Sequence, residues 1–172
     1  MSVYQMKITL RDVTPPIWRR VQVPGEVSLA QLHEVLVKAF GWRGSSPHEF
    51  ELSGDTWTTP AGDPAPDDDV LDDRETTLDS MLATGARFLY IYDLDDRWVH
   101  DLEVERVLDN TAVPGAKYCL GGARGGPDEN PEIFDLEETN RRVSLLFQRR
   151  GRIEPGRTIP TKRAKKHTKN RG

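Results

Sequence analysis

One cysteine, Cys119, occurs in 172 residues, so no intramolecular disulfide can form. That suits a reducing compartment. No stretch reaches the ~18 consecutive apolar residues of a membrane-crossing helix. The opening "MSVYQMKITL" lacks the basic start and apolar run of a secretory signal. The expected location is cytoplasmic. Acid is missing from the final segment 160–172, which holds six cations: Lys162, Arg163, Lys165, Lys166, Lys169 and Arg171. Removing those six from a net charge of −4 leaves the rest of the chain at −10. An acidic body repels phosphate backbones at long range. Any nucleic-acid contact is therefore expected from the tail alone.

Enzyme signatures are missing too. There is no Walker-type phosphate loop, no H-E-x-x-H, no G-x-S-x-G and no G-x-G-x-x-G. "GGARGG" (121–126) is glycine-rich, but no helix starts directly after it, as a phosphate cradle requires. The proline- and aspartate-rich stretch 59–77 lacks the ordered ligand spacing of a calcium loop. It is read as a mobile acidic loop. No cofactor is implied.

What the chain does contain reads as a single α+β domain over 1–159, followed by a basic disordered tail, 160–172. Alternating apolar residues predict strands at 3–10, 17–23 and 48–54, and a hairpin from 87–93 and 97–107. The clearest element is "VSLAQLHEVLVKAFG" (27–41). Ser28 and Gln31 are spaced for a capping box, Val27 and Leu32 for a hydrophobic staple, and Gly41 for a stop. Leu29, Leu32, Val35, Leu36, Ala39 and Phe40 form its apolar stripe. His33 and Glu34 lie off that stripe and are assigned to a solvated face. A short helix at 77–83 and a last helix at 135–147, with Asp135 and Glu138 set for a capping box, complete the elements. Residues 108–132 read as a long loop. The expected architecture is a largely antiparallel sheet with the main helix on one face. It opens β-β-α-β and continues through the long hairpin to the C-terminal helix.

The most chemical stretch is "YDLDDRWVH" (92–100). One reading takes Asp93, Asp96, Trp98 and His100 as a metal or ligand site, with hydrolysis as a candidate activity. The other makes the aspartates a turn, because aspartate bonds its own backbone there. His100 shares its strand parity with Trp98, Leu102 and Val104, so it then becomes a buried imidazole needing a hydrogen-bond partner. A straight strand would place it about 13 Å from Asp96, too far to share an ion. The residue pattern favours the second reading and leaves the first open.

Four segments together, "PPIWRRVQVP" (15–24), "SLAQLHEVLVKAFGW" (28–42), "FLYIYDLDDRWVHDLEVERV" (88–107) and "FDLEETNRR" (134–142), resemble the plasmid pRiA4b ORF-3-like family in order and spacing. The family's hairpin pattern is close to Y-D-F-G-D-D-W-x-H. Tyr92, Asp93, Asp96, Trp98 and His100 match it; Asp95 and Arg97 depart from it. Relatives tend to carry a cysteine-rich stretch, of which only Cys119 is kept, so no metal is expected there. The resemblance implies a fold and a mobile-element setting rather than an activity. Together these observations predict a non-catalytic binding or accessory module for a protein or peptide partner. The alternative is a nucleic-acid-associated accessory protein of a mobile element that uses the basic tail.

Overall fold

The computed structural model describes residues 2–60, 69–109, 118–130 and 132–148. Part of the acidic loop (61–68), Gly151 and the whole of 160–172 lie outside these residues. The strands are β1 (Ser2–Leu10), β2 (Trp18–Pro24), β3 (His48–Leu52), β4 (Asp55–Thr58), β5 (Val70–Asp72), β6 (Arg87–Tyr92), β7 (Trp98–Asp109) and β8 (Cys119–Ala123). The helices are α1 (Leu29–Phe40), α2 (Leu78–Met81) and α3 (Leu136–Gln148).

One sheet contains every strand, in the order β5-β4-β3-β6-β7-β1-β2-β8. All neighbours pair antiparallel except β4 and β5. The chain is therefore an α+β domain with α1 and α3 packed on the sheet and on each other. No described helix is long and apolar enough to cross a membrane.

The N-terminus of α1 forms as its spacing predicts. Ser28 Oγ accepts from Gln31 N–H at 3.2 Å, and Gln31 Oε1 accepts from Ser28 N–H at 2.8 Å. Gly41 ends the helix at φ 69°, a left-handed conformation that glycine adopts without a Cβ clash. Leu29, Leu32, Leu36 and Phe40 are wholly buried. Each contributes roughly 1.5–3 kcal/mol by leaving water.

Other elements depart from the expected pattern. The stretch read as a long loop, 108–132, contains β8, and the acidic loop contains β5. Neither strand carries an apolar alternation strong enough to announce itself. In and after β8, two of the glycines answer to packing rather than to phosphate. A Cβ on Gly122 would lie 2.7 Å from the Trp18 carbonyl oxygen, and one on Gly126 would run into the Phe40 carbonyl oxygen. In α3 only half of the capping box forms: Asp135 Oδ1 accepts from Glu138 N–H, while the Glu138 carboxylate pairs with Arg141. Leu136, the first residue of α3, is 40% exposed, while Val143 is wholly buried.

Arg19 is the least expected core residue. Its parity on β2 matches that of Val21 and Val23, and all three have essentially no exposure. Its guanidinium lies between Phe134 (4.3 Å) and Phe40 (5.1 Å). It donates to the carbonyl oxygens of Ala39, Trp18 and Ala123. Burial lowers its pKa to about 10. One role is geometric: the Nε bond holds the last turn of α1 onto β2.

Candidate binding site: a histidine network under a groove

The aspartate-rich stretch between β6 and β7 folds as a turn. Asp93, at φ 60°, accepts from the backbone N–H groups of Asp95 (3.1 Å) and Asp96 (3.2 Å) through Oδ1. Its Oδ2 accepts from Ser46 Oγ at 3.3 Å. His100 lies down the strand with no exposure. Its Nδ1–H donates to the Tyr90 carbonyl oxygen (3.1 Å), and its Nε2 accepts from Trp42 Nε1–H (3.1 Å). Both ring nitrogens are committed, so none is left for a metal or a proton transfer. Burial lowers the His100 pKa to about 4. Trp98 is half-buried against Trp42, 5.5 Å between rings. The structure thus joins Trp98 to His100 through Trp42 and leaves Asp93 and Asp96 at the turn. Cys119 is buried, with its pKa raised by that burial, which keeps the thiol protonated. Among the described residues, no three His, Cys, Asp or Glu side chains are placed to hold a metal ion.

The polar residues that do converge were assigned elsewhere by the sequence. His33 is no solvated helix residue. Its ring stacks on His48, 3.6 Å between centroids and 7° between planes. His33 Nδ1 lies 2.7 Å from the Tyr90 hydroxyl. Tyr90 is buried, so its hydroxyl needs an acceptor, and Nδ1 supplies one. On the other side of the stack, His48 Nε2–H donates to Asp73 Oδ2 at 2.6 Å. Asp73 Oδ1 accepts from Thr59 Oγ1–H at 2.8 Å. The Asp73 main chain also bonds to Ala30 N–H and to the Thr58 carbonyl oxygen, so this carboxylate is anchored by α1 and β4 together. The polar chain runs Thr59–Asp73–His48, across the stack to His33, then to Tyr90. The Tyr90 main chain connects it to His100.

Electrostatics keep the stack uncharged at its cleft end. Burial, and then the neighbouring His48, push the His33 pKa down to about 3. Burial pushes the Tyr90 pKa well above its ordinary value. His33 Nε2 has no hydrogen-bond partner among the described residues and is not one of the buried unpartnered atoms, so it is reachable from outside.

What it reaches is a groove of about 570 Å³. Ser28, Ala30, Gln31, His33, Glu34, Val37 and Lys38 of the α1 segment form its floor. Thr59 and Arg74 flank it on one side, and Leu146 of α3 on another. A smaller pocket of about 80 Å³, lined by Lys38, Arg142, Leu145 and Leu146, shares two of these residues and continues it. The opposite sheet face also has a trough, of about 560 Å³. It is lined by charges of both signs, with Arg87 paired to Glu103 and Asp101 paired to Arg11. It reads as a solvated face.

Comparison with known proteins completes the picture. The family model described as plasmid pRiA4b ORF-3-like protein matches residues 2–139. The chain belongs to this family. A relative in Sinorhizobium fredii (strain NBRC 101917 / NGR234), "Uncharacterized protein y4hQ", is 38% identical over 134 residues, spanning 73% of this chain and 68% of its own. The crystal structure of a protein of unknown function, MM3350 from Methanosarcina mazei Go1, superposes with a TM-score of 0.69 at 23% identity. It covers 80% of this chain and 96% of the other. That likeness establishes a shared fold. The family match covers every residue of the histidine network and reaches into the first turn of α3.

Proposed function

We propose that this member of the pRiA4b ORF-3-like family is a non-catalytic binding module that engages an extended segment of a partner protein along the exposed face of α1. The observation that carries this reading is the groove's length. Its floor runs from Ser28 to Lys38, ten residues of helix or about 15 Å. That length accommodates about four or five residues of extended chain. Its lining mixes Ala30, Val37 and Leu146 with polar side chains, as suits a peptide rather than a wholly apolar ligand. The network beneath it stiffens the floor, because a satisfied buried polar network admits one arrangement.

Chemistry on the same residues speaks for binding over catalysis. Asp73 and His48 resemble the carboxylate–imidazole half of a nucleophilic site. The hydroxyls at hand are already committed: Thr59 donates to Asp73, and Ser28 caps α1. The nucleic-acid alternative rests on Lys162, Arg163, Lys165, Lys166, Lys169 and Arg171, all outside the described residues.

Selection of displayed random peptides on the full chain tests the proposal. Enriched peptides should bind the wild type and weaken about tenfold or more on Ala30→Arg, which fills the groove from a half-buried position lining it. No enrichment, or equal binding to Ala30→Arg, overturns it.

A further inference from the structure

We infer that His33 is the groove's selecting donor: its Nε2–H takes the main-chain carbonyl oxygen of one residue of the bound segment. This rests on the binding reading above and names the atom that sets the segment's register. Tyr90 is wholly buried, so its hydroxyl hydrogen needs an acceptor. His33 Nδ1 stands 2.7 Å away, and the hydroxyl has no other partner among the described residues. Nδ1 therefore presents its lone pair to Tyr90, and a neutral imidazole then holds its single hydrogen on Nε2. The ring is neutral, because burial and then the neighbouring His48 push its pKa down to about 3. The bond to Tyr90 fixes the tautomer, and the stack on His48 fixes the tilt of the ring. Nε2–H is left at the groove as an oriented donor, accessible and without a partner among the described residues.

The surroundings of this donor suit a carbonyl rather than a carboxylate. Glu34, the next residue, also lines the groove and repels an anion placed there. A neutral imidazole offers no charge to offset that repulsion. Ala30 and Val37 line the groove on the same helix face as His33, about 4.5 Å before it and 6 Å after it along the axis. Neither side chain has a polar group, so the donor stands alone between two apolar contacts. Successive carbonyls of an extended chain point to opposite sides, with about 3.3 Å per residue. A segment that slid by one residue would turn its carbonyl away from Nε2–H. One fixed donor thus selects register, whatever side chains the segment carries.

Two measurements on the full chain test this. Long-range 1H–15N NMR of the free protein should show the His33 hydrogen on Nε2; a hydrogen on Nδ1 overturns the inference before any ligand is added. Addition of an enriched displayed peptide should then shift the Nε2 resonance, a readout that needs no variant. The second measurement is a thioamide scan, in which sulfur, a weaker acceptor, replaces the peptide's main-chain oxygens one at a time. One position should lose about three- to tenfold in affinity. His33→Asn keeps an amide oxygen near the Nδ1 position but has no donor at Nε2. On this variant the unmodified peptide should weaken by a similar factor, and the sensitive position should disappear. His33→Gln, whose amide N–H can stand in for Nε2–H, should restore most of the binding. An unmoved Nε2 resonance, no sensitive position, a sensitive position that survives His33→Asn, or sensitivity only to a side-chain amide of the peptide each overturns the inference. If the scan is flat while the peptides remain sensitive to Ala30→Arg, the His33 contact falls and the groove stands. If no peptide is enriched, both fall.

Discussion

His33 and His48 stand face to face, their imidazoles parallel with centroids 3.6 Å apart, although they lie on different elements. Two rings this close cannot both carry a proton without strong repulsion. One side of the stack is tied to Asp73 and the other to Tyr90, so its geometry is held from both ends.

Acid should destabilise the fold through these rings. In the unfolded chain the imidazoles titrate near 6.5; folded, His33 is pushed to about 3 and His100 to about 4. The unfolded chain therefore binds more protons between those values. Stability should be full above a pH of about 6.5 and fall as the pH drops towards 4, at up to about 1.4 kcal/mol per pH unit for each ring. Urea unfolding at a series of pH values checks this. His33→Gln should show a shallower decline; an unchanged slope would mean His33 is charged or exposed in the fold.

His100→Ala should lower stability by about 2–4 kcal/mol, through a cavity and the stranded Trp42 N–H. Added divalent metals should leave the Tm of both proteins unchanged. Asp93→Asn should be nearly neutral, because asparagine keeps the turn-forming oxygen and tolerates the left-handed backbone. A metal-induced rise in wild-type Tm that Asp93→Asn abolishes would restore the cation reading of the turn.

Asp73→Ala should cost more than Tyr90→Phe. The first strands both His48 Nε2–H and the Thr59 hydroxyl, about 2–4 kcal/mol in all. The second removes one hydroxyl and leaves only His33 Nδ1 without its partner, about 1 kcal/mol. Chemical denaturation of both variants ranks them; a reversed order would place the anchor of the stack at Tyr90.

Gly122→Ala should destabilise by about 1–3 kcal/mol, since its Cβ would meet main-chain and ring atoms with little room to yield. Gly54, with open space around its Cβ position, is a poor control because its φ is 90°. Gly121→Ala is the better one, with its nearest neighbour at an ordinary 3.6 Å, and should be milder.

The sequence by itself determined what depends on neighbours along the chain. The capping box of α1, its stop at Gly41, the β6–β7 hairpin and the inward face of His100 all follow from spacing and parity. Arg19 shares the strand parity of Val21 and Val23, but its place in the core is known only from the packed structure. Tertiary structure decided the rest. His33 reads as solvent-facing because the residues that cover it, His48 and Tyr90, come from β3 and β6. Asp73 lies in an acidic stretch whose composition suggests solvent, yet the Ala30 N–H and the Thr58 carbonyl hold it at full burial. β8 shows no alternation, and at Gly122 close approach rather than side-chain burial demands the glycine. Hydrophobic periodicity records which face of an element is dry. It carries no record of which polar groups, distant in sequence, will meet there, because those partnerships exist only once the sheet has brought the elements together.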